Sequence, residues 1–144
     1  MNQLTEKWMG LDFGMRRIGV AVSDSMGMLA RRFETINWNG KDWEWALDRL
    51  AAIIRQESIS GLVIGLPRRT DGLAGDSENI ARLFSCQLAK KTGIQPVLLD
   101  ERYTTVLANR ILTETGIKKE RKKAVIDQIA AEIILQDYLD SNRS

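Results

Sequence analysis

Three carboxylates stand where this sequence can do chemistry. Asp12 lies near the end of an apolar run, Glu101 follows a second apolar run, and Asp127 falls inside the apolar arc of a helical pattern. On that helix Ala124, Ala130, Ala131, Ile134, Leu135 and Tyr138 surround Asp127, while Gln128, Glu132 and Gln136 make a separate polar stripe. A carboxylate in a buried arc costs several kcal/mol unless a cation or hydrogen-bond donor compensates it. If the three converge, their mutual repulsion calls for a hard divalent cation such as Mg²⁺ or Mn²⁺ with oxygen ligands. An ion held this way activates water and stabilises the leaving oxygen in phosphoryl hydrolysis. The alternatives are an ordinary turn residue for Asp12, a pairing with Arg102 or another base for Glu101, and a salt-bridged helix residue for Asp127.

The elements that must position them read in order. Met9 to Phe13 form a strand, Gly14 to Arg17 a tight turn, and Ile18, Val20 and Val22 an alternating return strand, which together predict a β-hairpin. Alternation puts Gly10 and Asp12 on one face and Leu11 and Phe13 on the other, so room is left beside the carboxylate. Leu29 to Ile36 predicts a third strand with imperfect alternation. After Asn39-Gly40, Trp43, Leu47, Leu50 and Ile54 mark a helix from about Lys41 to Glu57, with Trp38 and Trp45 off its stripe and assigned to the core edge.

Leu62 to Leu66 is a buried strand closed by Pro67, followed by the polar loop RRTDGLAGDSE. Asp76 or Ser77 is expected to cap a second helix whose stripe is Ile80, Leu83, Phe84 and Leu88, with Cys86 as a small buried filler, ending at Gly93. Pro96 to Leu99 is another buried strand leading into Asp100, Glu101 and Arg102. Helices are expected from about Thr104 to Gly116 and from about Lys123 to Leu139. The order β-β-β-α-β-α-β-α-α predicts an α/β fold with a mixed sheet, three antiparallel strands then two parallel, and helices on both faces. Sites in such sheets lie beyond the carboxyl ends of strands, where Asp12 and Glu101 both fall.

Length and composition remove other classes. A chain of 144 residues fits one domain, 1–144, with Met1 to Lys7 ahead of the first motif and open to disorder. The absence of histidine excludes Ser-His-Asp and Cys-His catalysis and His-ligated zinc. One cysteine makes no internal disulfide, no apolar run approaches the ~20 residues of a membrane span, and the start lacks a secretory core, so the expectation is a cytoplasmic protein with no membrane partner. The net charge of +2 conceals clustering: Arg16-Arg17, Arg31-Arg32, Arg68-Arg69, and five bases in the six positions from Lys118 to Lys123. Arg16, Arg17, Lys118, Lys119, Lys122 and Lys123 are therefore candidate contacts to a phosphate backbone, against the plainer reading of a solvated charge run. No base-reading signature is present.

Four blocks, LDFGMRRIGVAVSD, LVIGLPRRTDG, LLDERYTT and VIDQIAAEIILQDYL, resemble in order and spacing the YqgF family, also called RuvX. The resemblance spans about Met9 to Leu139 and implies an RNase H-like fold and a metal-dependent nuclease that matures the 5′ end of pre-16S rRNA in ribosome biogenesis. It places the family's acidic positions on Asp12, Glu101 and Asp127. Similar sequences usually carry Thr at Met15 and Leu at Tyr103, departures that bear on substrate fit.

The expectation is thus an RNA phosphodiesterase with Asp12, Glu101 and Asp127 holding Mg²⁺ or Mn²⁺, and with Arg102 approaching the scissile phosphate or orienting Glu101. Three rivals stand beside it. One is a nuclease for branched, four-way DNA, and another is a non-catalytic nucleic-acid-binding module. The third is an ATP-using fragment of the actin and sugar-kinase type, which the length and the missing GxxxxGK[ST] loop oppose.

Overall fold

The first apolar run pairs with the strand after it, and the remaining strands add to the two sides of that hairpin. A computed structural model describes residues 6–67, 74–101 and 119–142, with the side chains of 74–76, 101 and 119–124 outside the description. Its elements are β1 (Trp8–Phe13), β2 (Arg17–Ser23), β3 (Ala30–Asn37), α1 (Trp43–Gln56), β4 (Gly61–Pro67), α2 (Ala74–Thr92), β5 (Val97–Glu101) and α3 (Lys119–Ser141). The sheet order is β3-β2-β1-β4-β5. β1–β2 and β2–β3 are antiparallel, and β1–β4 and β4–β5 are parallel, as the element order predicts. The loop around Arg68-Arg69 and the helix expected from Thr104 to Gly116 lie outside the described residues.

Strand alternation divides the core into two layers. Met9, Leu11 and Phe13 of β1 with Leu62, Ile64 and Leu66 of β4 pack against Leu47, Leu50 and Ile54 of α1 and Phe84 and Leu88 of α2. The opposite face carries Ala21 and Val63, covered by Ala131, Ile134, Leu135 and Leu139 of α3. Both faces of β2 and β4 are therefore covered, which suits their unbroken apolar runs.

Several positions differ from the sequence expectation, each for a physical reason. β3 carries a bulge: Val20 pairs with Glu34 and Ala21 with Arg32, leaving Phe33 as the extra residue that breaks the alternation. The seam of α2 is Ala81, Phe84, Ser85 and Leu88, with Ser85 Oγ donating to the Ala81 carbonyl at 2.8 Å. That phase exposes Leu83 (55%) and Cys86, so neither is part of the core. α2 begins at Ala74, which puts Asp76 and Ser77 inside its first turn and not at its cap. Trp38 is buried, at 2% exposure, and not at a core edge. Lys7, in the leader expected to be open to disorder, pairs with Glu57 at 2.9 Å, and its carbonyl accepts from Ser60 N at 2.9 Å.

Candidate active site

Asp12 occupies the second-last position of β1, opposite Gly19 on β2 and beside Gly65 on β4. Register puts paired residues on one face of a sheet, so the row through Asp12 has no side chain on either flanking strand. Glycines thus flank Asp12 on three sides, counting Gly10 along the strand. Helix α3 fills part of the space they leave. A Cβ at Gly10 would stand 2.6 Å from Leu135 Cβ, and a Cβ at Gly19 would overlap the carbonyl carbon and oxygen of Asp127. Gly19 therefore seats the Asp127 backbone directly on β2, one strand from Asp12.

Asp127 is 18% exposed and is compensated by Arg17, whose Nε donates to its Oδ2 at 2.7 Å. Arg17 belongs to the same face as Gly19, two positions earlier on β2, so the ion pair follows from strand alternation. The partner that burial demands of Asp127 is one of the two arginines the sequence offered as phosphate contacts. Its neighbour Arg16 is exposed, and the Arg16 carbonyl accepts from Asn39 N at 2.8 Å. Trp38 Nε1 donates to the Gly14 carbonyl at 3.0 Å, which ties the turn after Asp12 to the end of β3. Sequence reading missed Trp38 and Gly19 as supports. The hairpin register, which sets Gly19 against Asp12, was the available signal for the second.

The third carboxylate position is reached by register. Asp12 pairs with Gly65, and two residues further along β4, on the same face, Pro67 pairs with Glu101. Glu101 thus holds a position on the face of Asp12 at the carboxyl end of β5; its side chain is outside the description. Among the described residues no group of three or more His, Cys, Asp or Glu forms a metal-binding set. Asp12 stands on β1, Asp127 on α3 where that helix meets β2, and Glu101 on the far side of β4, an all-oxygen donor set that fits a hard divalent ion. Lys119, Lys122 and Lys123 lie on the first turns of α3, upstream of Asp127, while Arg102 and Lys118 are outside the described residues.

The polar stripe of α3 does not face solvent alone. Gln128 Nε2 donates to Thr35 Oγ1 at 3.0 Å, and Gln136 Oε1 accepts from Ala30 N at 2.8 Å while its Nε2 donates to the Met28 carbonyl at 3.0 Å. Between them burial pushes the Glu132 carboxyl above its ordinary range, against the opposing pull of Arg32, whose Nε is 3.9 Å away. The stripe thus fixes the rotation of α3 over β3, and with it the direction in which Asp127 is presented.

Comparison with known proteins gives one consistent family. Residues 6–141 match the RuvX family model, described as Holliday junction resolvase. A relative from Leuconostoc mesenteroides named "Putative pre-16S rRNA nuclease" is 42% identical over 134 residues, covering 92% of this chain and 94% of its own. One of the same name from Acetivibrio thermocellus is 41% identical, with 92% and 94% covered. Among solved structures, Thermus thermophilus RuvC in complex with a Holliday junction superposes with a TM-score of 0.61 at 12% identity, covering 94% of each chain. The fowlpox virus resolvase with Holliday junction DNA gives 0.58 at 12% identity, covering 96% of this chain and 99% of its own. These likenesses establish the RNase H-like fold.

Proposed function

The chain belongs to the RuvX family, and on that premise we propose that it is a divalent-metal-dependent nuclease that hydrolyses RNA phosphodiester bonds at the 5′ end of pre-16S rRNA. The observation that carries the reading is Asp127 seated on Gly19, the residue paired with Asp12, with Glu101 at a register position on the same face. The curated relatives' name supports the RNA substrate.

Asp12, Glu101 and Asp127 would hold one or two Mg²⁺ or Mn²⁺ ions. Such an ion, when bound, supplies a more acidic water and stabilises charge on the leaving oxygen. The chain's own residues do the rest. Gly10 and Gly19 let α3 lie close against the sheet beside Asp12, and Gly65 adds no side chain to that face. Arg16, with Lys118, Lys119, Lys122 and Lys123 near the start of α3, grips flanking phosphates, and Arg102 neutralises the scissile group or orients Glu101. The whole of 1–144 acts as one nuclease domain. A ribosomal RNA precursor as substrate supports a cytoplasmic location. Among the described residues no helix is long and apolar enough to cross a membrane.

A second reading keeps the chemistry and exchanges the substrate for branched DNA, favoured by the description of the family model. Cleavage of an RNA carrying the pre-16S 5′ extension and of a four-way DNA junction, at matched salt and with Mg²⁺ or Mn²⁺, separates the two. The proposal expects preferential cutting of the RNA. Preferential cutting of the junction transfers the assignment to DNA, and binding of both without cutting of either leaves a binding module.

A further inference from the structure

The ion pair between Arg17 and Asp127 joins the hairpin turn to a helix 110 residues away in sequence, and it occupies one oxygen of a carboxylate assigned above to metal. The two partners are not equally free to move. Asp127 is held by its own backbone, which lies where a Cβ of Gly19 would be, and by the seating of Leu135 on Gly10. Arg17 is a long side chain, 36% exposed, on the first residue of β2 beside the exposed Arg16. Of the two, the guanidinium is the group freer to move.

Resting on the three-carboxylate reading of the site, we propose that Arg17 is the resident counter-cation of Asp127, which a divalent ion displaces, and that the released guanidinium then becomes a phosphate contact. Carboxylates drawn together need positive charge among them, and Arg17 supplies it from within the chain. An entering ion competes for the same oxygen, and two cations on one carboxylate repel. Release turns Arg17 from a competitor for Asp127 into a donor for a phosphate beside Arg16. Ion binding and RNA binding consequently reinforce one another, and by linkage each raises the affinity of the other by the same factor. A plain buttress would act in the opposite sense, because removing it would loosen Asp127 and weaken the ion.

Calorimetric titration of the full chain with Mn²⁺ alone decides between them, using wild type, Asp127→Asn, Arg17→Gln, Arg17→Lys and, as a control for the change in net charge, Arg16→Gln. The expected results are an isotherm abolished in Asp127→Asn, affinity raised about fivefold in Arg17→Gln, and a rise of under about twofold in Arg16→Gln. Arg17→Lys, which retains a cation, is expected near wild type. Unchanged or weaker binding in Arg17→Gln, or equal tightening in Arg16→Gln, overturns the exchange while leaving the carboxylate site standing. Wild-type binding retained in Asp127→Asn overturns the site itself and the exchange with it. Should Arg17→Gln fail to fold, the Nε–H resonance of Arg17 in wild type, assigned with Arg17→Lys, is followed during Mg²⁺ titration. Displacement predicts that it shifts with saturation, and an unmoved resonance contradicts it.

Discussion

Gly19 decides where Asp127 can be, since the helix backbone touches the strand at a spot opposite Asp12 where no side chain intervenes. Gly19→Ala puts a methyl group into a main-chain carbonyl, which no rotamer change relieves, so α3 must lift from the sheet. Overpacking of this kind costs about 3 kcal/mol or more, and chemical denaturation is expected to show a loss of that size. Ile64→Ala, which opens a cavity at a fully buried core site on the opposite face of the sheet, is expected to cost about 2–5 kcal/mol. Only the first should also abolish cleavage in the fraction that remains folded. The three carboxylates were legible as residue types at strand ends and in a helical arc. Arg17 as partner of Asp127 was not, because a cation 110 residues away in the chain becomes a neighbour only once register and helix docking are known.

At the scale of elements, α3 is held by apolar contacts on one side and by the Gln128–Glu132–Gln136 stripe on another. Burial raises the Glu132 carboxyl, so the folded protein binds its proton more readily than the unfolded chain does. Its ionised form therefore opposes folding above the folded pKa, and the penalty fades as pH falls through that value. Glu132→Gln removes the penalty, keeps an amide oxygen that can accept from the Arg32 backbone N–H, and sacrifices the 3.9 Å approach of the half-exposed Arg32 guanidinium. Melting curves are expected to show the variant more stable than wild type at neutral pH, with the advantage shrinking toward acid. Strand directions could be read from the succession of elements, and the phase of α1 because large apolar residues mark it. The phase of α2 and the bulge of β3 could not. Ala81 and Ser85 give the α2 seam little hydropathy signal, and Phe33 is an inserted residue whose presence shows only against its partner strand.

For the whole molecule, the sheet gathers the acidic positions at one end of one face and the chain order brings the basic start of α3 toward them. If Lys122 and Lys123 grip phosphates, the Lys122→Gln/Lys123→Gln double variant binds single-stranded RNA with a salt slope shallower by roughly 0.7 for each phosphate no longer neutralised, measured by fluorescence anisotropy across a salt series. An unchanged slope would mark the run as a solvated face. The fold class was fully legible from element order, whereas Glu101 reaches the face of Asp12 only through the pairing of β5 with β4, which no local pattern in the sequence announces. The measurement that bears most directly on the central claim is cleavage of RNA carrying the pre-16S 5′ extension by wild type and Asp127→Asn, with Mg²⁺ or Mn²⁺ and with chelator, alongside RNA binding. The account predicts cutting by wild type that chelator stops and Asp127→Asn lacks, with RNA binding retained in the variant. Cutting that survives chelator, or that Asp127→Asn performs as well as wild type, would contradict it.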